Sequence, residues 1–154
     1  MEDKIITIFT PTYNRAYKLP DLYVSLCKQT SQHFEWLIVD DGSTDETEQL
    51  VDAWIKEKKI FIRYLKQENG GKQRAHNTGV LNSDLELFFC VDSDDIIAED
   101  CVEKHLKRWN QVRNNERVAG IISLKGDLEG NPLGTYFPEG LDCVSRKLLY
   151  GKMK

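Results

Sequence analysis

No stretch of the chain approaches the ~20 consecutive apolar residues that a membrane-spanning helix needs. The opening residues Met1 to Lys4 carry neither the basic region nor the apolar run of a secretory signal. The sequence therefore predicts a chain without a transmembrane segment, placed in the cytoplasm, with peripheral association at the inner face of the cell membrane left open. Basic residues are not in excess either. The 21 Lys and Arg face 25 Asp and Glu, a formal net charge of −4, which argues against a nucleic-acid groove because phosphate tracking needs a surplus of cations on one face. An anionic ligand must then be met locally, by backbone amides, a few basic side chains or a metal. Paired cysteine motifs are missing as well: Cys27, Cys90, Cys101 and Cys143 form no CxxC, as expected for reduced thiols. There is no internal repeat, low-complexity tract or linker. The 154 residues, 40% hydrophobic, suffice for one domain with a sizeable core.

What is present is an alternation of short apolar runs with longer amphipathic segments, which predicts an α/β fold with a mostly parallel central sheet flanked by helices. Strands are expected at Ile5 to Phe9, Phe34 to Val39, Phe61 to Leu65, Leu85 to Val91 and Val118 to Leu124. The fourth is the most apolar and is expected at the centre of the sheet. Helices are expected between them. Leu19, Leu22, Tyr23, Leu26 and Cys27 form one apolar stripe, with Pro20 in its first turn. A second helix, opened by a Ser43–Glu46 capping box, presents Leu50, Val51, Trp54 and Ile55 inward. Segment 73–81 is helical, and a long helix over roughly 99–114 buries Val102, Leu106 and Trp109. Gly126 to Gly134 reads as a turn or hairpin, and Asp142 to Tyr150 as a final helix.

In open parallel sheets, ligands bind outside the carboxyl ends of the strands. Polar clusters fall at the ends of the first four expected strands: Thr10 to Arg15, Asp40-Asp41, Gly70-Gly71-Lys72, and Asp92 to Asp95. In the last, three carboxylates crowd into four residues, so that either one protonates or a cation compensates. Mg²⁺ or Mn²⁺ suits such an oxygen set, using one or two carboxylates and leaving the rest of its shell to substrate phosphates. The plainer alternative has Asp94 or Asp95 capping the next helix. Asp40 and Asp41 either accept hydrogen bonds from a base or ribose, or shape the entry to the second helix. Tyr13 offers an aromatic face to a nucleobase or simply packs, Lys72 meets phosphate or is solvated, and His76 stays unassigned. A phosphohydrolase would use the same carboxylates, but such enzymes place Asp-x-Asp after the first strand, which here ends in Thr10-Pro11.

Pro11 to Arg15, Val39 to Asp45, Gly71 to Gly79 and Val91 to Asp95 stand in order, and together they resemble family 2 glycosyltransferases of the GT-A fold over roughly residues 4 to 125. The resemblance implies a Rossmann-like nucleotide-sugar-binding domain. It implies inverting transfer of a sugar from a nucleotide diphosphate donor, commonly UDP-linked, to the hydroxyl of a glycan or lipid-linked glycan, as in cell-surface polysaccharide synthesis. By the same resemblance Pro11, Thr12, Tyr13, Asp40 and Asp41 hold the nucleoside, Gly71, Lys72, Asn77 and Ser93 complete the donor site, and Asp92 and Asp94 form the Asp-x-Asp pair that binds Mg²⁺ or Mn²⁺. Inversion also needs an acid that takes the proton of the attacking hydroxyl. After Leu124 the candidates are Asp127, Glu129, Glu139 and Asp142, none in a setting resembling the family's base segment. The expectation is a single domain over 1–154 that stops before its acceptor side and binds donor without efficient turnover; the alternative is a base among those four.

Overall fold

A computed structural model describes residues 4–127 and 129–134. The chain divides into two compact units, residues 1–107 and 108–154. The first unit holds a parallel sheet of four strands: β1 (Ile6–Thr12), β2 (Phe34–Asp40), β3 (Ile62–Lys66) and β4 (Leu87–Cys90), in the order β3-β2-β1-β4. Between them run α1 (Leu19–Cys27), α2 (Thr47–Glu57) and α3 (Lys72–Leu81); α4 (Cys101–Val112) follows and continues into the second unit.

Strand alternation sorts the core into two layers. Ile6, Ile8, Phe34, Trp36 and Ile38 point to one face and pack with Leu19, Leu22, Tyr23 and Leu26 of α1, Val51 and Trp54 of α2, and Val102 and Leu106 of α4. Phe9, Leu37 and Val39 point to the other, where Ala75 of α3 covers them. On that second face the backbones come close, because a Cβ on Gly79 of α3 would lie 2.3 Å from the ring of Phe9. Gly79→Ala is therefore expected to destabilise the chain by about 1–3 kcal/mol through overpacking, a loss that the better helix propensity of alanine, worth ~1 kcal/mol, does not restore. Urea unfolding followed by circular dichroism reads the shift. Near the start of β1, on the same face, Thr7 Oγ1 (3.0 Å) and Arg63 Nη1 (3.0 Å) both donate to the buried carboxylate of Glu35.

Several expectations are corrected. β1 does not stop at Phe9 but runs through Pro11 to Thr12. Proline lacks an N–H for a ladder, yet β4 pairs with β1 only as far as Phe9↔Cys90, so Pro11 lies beyond the reach of that neighbour. β4 is not central: among the described residues it pairs with β1 alone, and its side chains are half-buried or exposed, whereas β1 and β2 are buried throughout. The Ser43–Glu46 capping box does not form. Ser43 Oγ instead accepts from Asn14 N (2.8 Å), and Asp45 accepts from Thr47 N (3.1 Å) and Ala16 N (3.0 Å). Ile55 is exposed on α2 and Trp109 is only half-buried on α4.

In the second unit, Val118 to Leu124 forms no strand. Gly126 to Gly134 is the expected turn, closed by an antiparallel bridge between Gly126 and Pro132 and by Asp127 Oδ1 accepting from Asn131 N (2.8 Å). The helix expected over Asp142 to Tyr150 falls outside the described residues.

Candidate nucleotide-binding cleft

In the order β3-β2-β1-β4 the chain winds outward from β1 in one direction to β2 and β3, then crosses back to β4 on the other side of β1. That reversal is a topological switch point, where the loops leaving adjacent strands part and open a crevice at their carboxyl ends. β1 and β2 run on to Thr12 and Asp40, past the level at which β4 stops, and deepen it. A cleft of about 490 Å³ lies there, lined by the turn after β1 (Pro11, Thr12, Tyr13, Arg15), Asp41 after β2, Asn69, Gly71, Lys72 and Ala75 at the start of α3, and Asp92, Ser93 and Asp94 after β4. Of the donor-site positions expected from the sequence, Pro11, Thr12, Tyr13, Asp41, Gly71, Lys72, Asp92 and Ser93 line it, as does Asp94.

Asp40 and Asn77 do not line it, each for a reason of periodicity. Asp40 closes β2 on the α1/α2 face and is fully buried; its carboxylate accepts from Ser43 N (2.8 Å) and from the hydroxyl of Tyr64. Burial and the Asp40 carboxylate raise the Tyr64 hydroxyl far above its ordinary pKa. Asp40 thus ties the end of β2 to β3. Asp41, one residue on, turns to the α3 face and into the cleft. Asn77 is exposed on α3, about half a turn away from the buried Ala75 and Gly79. Arg15, Asn69 and Ala75 line the cleft without having been singled out. Arg15 stands inside the motif Pro11 to Arg15, Ala75 inside Gly71 to Gly79, and Asn69 just before the glycine pair, so membership of the motifs or proximity to them is the available signal.

Asp41 organises one wall. Its carboxylate accepts from Gly70 N (3.0 Å), Gly71 N (2.6 Å) and Gln67 Nε2 (2.6 Å), while Asn69 Nδ2 donates to its carbonyl oxygen (2.9 Å). Burial pushes this carboxyl up, but the bonds from Gln67, Gly70 and Gly71, with the charge of Arg74, outweigh it and hold Asp41 below its ordinary range. Gly71, with a φ of 88°, takes the left-handed backbone that lets its amide reach Asp41 as α3 begins. Lys72, the next residue, spans the cleft to the far wall, its ammonium 2.7 Å from one oxygen of Asp92 and 2.9 Å from the other. The ends of β2, β3 and β4 are thereby joined by a polar belt across the cleft.

Within it Thr12 Oγ1 is buried with no hydrogen-bond partner among the described residues. Such a hydroxyl costs about 1–3 kcal/mol when left unpaired, and a polar ligand in the cleft would satisfy it. Tyr13 is half exposed at the rim. His76 packs edge-on between the rings of Phe9 (5.5 Å) and Phe88 (5.7 Å), on the same face as Phe9's core layer.

Asp94 is exposed toward the cleft, and Asp95 N closes a turn on Asp92 O (3.1 Å). Neither carboxylate caps α4, which begins at Cys101. No cluster of three or more His, Cys, Asp or Glu able to hold a metal occurs among the described residues. Asp92 and Asp94 still fit a divalent ion of the kind that takes two carboxylates and completes its shell with phosphate and water oxygens. The Lys72 ammonium resting on Asp92 shows that this carboxylate already attracts a cation. In the second unit, Asp127 is engaged in its turn, held below its ordinary range by Asn131; Glu129 lies in the same turn, and Glu139 and Asp142 fall outside the described residues.

Residues 7–128 match the family described as Glycosyl transferase family 2. Among curated proteins, the chain is similar to glycosyltransferase GlyG of Streptococcus pneumoniae, 38% identical over 129 residues, covering 83% of this chain and 42% of that protein. Among solved structures, it is similar to S. aureus TarS 1-349 in complex with UDP-GlcNAc, at a TM-score of 0.66 and 26% identity, covering 77% of this chain and 37% of that one. It is also similar to the mannosyltransferase PcManGT of Pyrobaculum calidifontis in complex with GDP-Man and Mn²⁺, at a TM-score of 0.63 and 25% identity, over 70% and 32% of the two chains. The parallel sheet flanked by helices is the GT-A fold. The chain spans less than half the length of each of these relatives. No helix among the described residues is long and apolar enough to cross a membrane.

Proposed function

The chain belongs to glycosyl transferase family 2, and from that membership we propose that the cleft binds a UDP-sugar with Mg²⁺ or Mn²⁺ for inverting transfer to a glycan or lipid-linked glycan hydroxyl. The observation that carries this reading is the convergence of Thr12, Tyr13, Asp41, Lys72, Asp92 and Asp94, from four separate loops, on one switch-point cleft. Tyr13 presents its ring to the base. The Thr12 hydroxyl and the Asp41 carboxylate supply polar contacts to the nucleoside. Lys72 meets the diphosphate as a point charge. Asp92 and Asp94 hold the divalent ion, which supplies charge neutralisation for the departing diphosphate. UDP-GlcNAc in TarS and GDP-Man with Mn²⁺ in PcManGT support donors of this class. Assembly of a surface polysaccharide on the cytoplasmic side of a membrane is the setting we propose for it.

Calorimetric titration of UDP into the chain, with Mn²⁺ and then with EDTA, tests the reading. Binding is expected only with metal. Asp94→Ala is expected to weaken it about tenfold, because phosphate oxygens still hold part of the metal's shell. Metal-independent binding, or none, would defeat the proposal. A second reading, a donor-binding module without turnover, is favoured by the engagement of Asp127, a candidate base, in its own turn. It predicts saturable UDP binding with neither donor hydrolysis nor transfer.

A further inference from the structure

The cation on Asp92 is a side chain from the opposite wall of the cleft. Lys72 is the first residue of α3, and its backbone is fixed: the preceding amides of Gly70 and Gly71 are bonded to the Asp41 carboxylate, and Arg74 N and Ala75 N return to Gly71 O (3.0 and 3.2 Å). Its side chain is held at the tip, where the ammonium meets Asp92. That side chain is 63% exposed and that of Asp92 40%, so the pair lies in the mouth of the cleft. Asp92 is paired with Lys72, and Asp94 stands two residues away with its carboxylate exposed.

A metal ion that takes both Asp92 and Asp94 must displace the ammonium from Asp92, compete with it for the charge of Asp94, and then sit beside it. A nucleoside diphosphate changes these terms, because its phosphates give Lys72 a new partner and free Asp92. We infer that Lys72 is a place-holding cation that occupies Asp92 in the empty cleft and transfers to the donor's phosphates, so that metal and nucleotide load together. The inference rests on the donor-binding reading above and assigns Lys72 a role in ordering the two ligands. Lys72 is here a positioning residue for Asp92 as well as a phosphate contact. No covalent step is involved: one ion pair opens and another forms.

The test is the affinity for Mn²⁺ alone, read from the spin-resonance signal of the free aquo ion, for the wild-type chain, Lys72→Met and Lys72→Arg, followed by UDP titration at saturating Mn²⁺. Lys72→Met is expected to bind Mn²⁺ alone about five- to tenfold more tightly, from loss of a half-exposed ion pair and of a neighbouring positive charge, while binding UDP more weakly. Lys72→Arg keeps the charge and is expected to resemble the wild type in Mn²⁺ affinity. A purely structural role for Lys72 would not strengthen metal binding. If UDP binds the wild type in a metal-dependent way but Lys72→Met gains no Mn²⁺ affinity, the place-holding role is overturned and the donor site stands. If UDP fails to bind the wild type at all, the proposed function falls and the transfer of Lys72 to the donor falls with it; a gain in Mn²⁺ affinity by Lys72→Met would then show only that Lys72 competes with the metal for Asp92.

Discussion

Trp36→Ala is expected to lower the stability of the chain by about 3–5 kcal/mol, a large share of the ~5–15 kcal/mol that separates folded from unfolded domains. Trp36 is fully buried on β2, where the sheet meets α1 and α2. Its ring lies 6.2 Å from that of Tyr23 on α1 and 5.8 Å from that of Trp54 on α2, and those two stack on each other at 4.3 Å. Its indole N–H donates to Thr10 Oγ1 on β1 (2.9 Å). Alanine would leave a cavity between the sheet and both helices and deprive the Thr10 hydroxyl of that donor. Trp36→Phe keeps most of the volume and loses the hydrogen bond, and is expected to cost less than half as much. Urea unfolding followed by far-ultraviolet circular dichroism measures both, and equal losses for the two variants would refute the stacking explanation.

That cluster was legible in the sequence to the extent that Tyr23 and Trp54 fall on the inward stripes of their helices; Trp36 stands in a strand buried on both faces, where alternation marks no inward side. Local phase also identified which strand ends carry polar residues. It did not convey neighbour relations. Leu85 to Val91 reads as a central strand because it is apolar, yet β4 has one described partner and the buried strands are β1 and β2. Val118 to Leu124 has the composition of a strand without pairing as one, since a strand is made by its ladder and not by its side chains alone. Pro11 reads as a terminator, and only the short reach of β4 explains why it is tolerated inside β1. The doublet Asp40-Asp41 shows the same limit at the site. Both residues suited a nucleoside contact, and only the phase of β2 in the folded sheet separates the one bonded to Tyr64 from the one facing the cleft. The sequence suggests Lys72 as a phosphate contact, but its bond to Asp92 spans 20 residues of sequence, and nothing local announces it.

Asp41→Ala is expected to abolish measurable UDP binding, with a loss of at least about a hundredfold, while lowering stability by roughly 2–4 kcal/mol. The change leaves Gly70 N and Gly71 N without the acceptor that closes the loop onto β2. The N-terminus of α3 and the root of Lys72 would then be released together, and any nucleoside contact made by the carboxylate would also go. Asp41→Asn is nearly isosteric but sets a donor group against the donors of Gly70, Gly71 and Gln67, and is expected to recover little. The dependence on pH separates the carboxylate's charge from its shape. Because Asp41 titrates below its ordinary value of 3.8 in the folded chain, its charge contributes stability that is present above that value and is lost as the pH falls through the lower folded one. Asp45 is shifted in the same direction, so the wild-type profile alone does not isolate Asp41. The difference in stability between wild type and Asp41→Asn does: it is expected to be constant near neutral pH and to shrink as the pH falls below about 3.8. A difference that stays constant down to acid unfolding would assign the loss to side-chain shape, and the anionic clamp on the α3 loop would have to be abandoned.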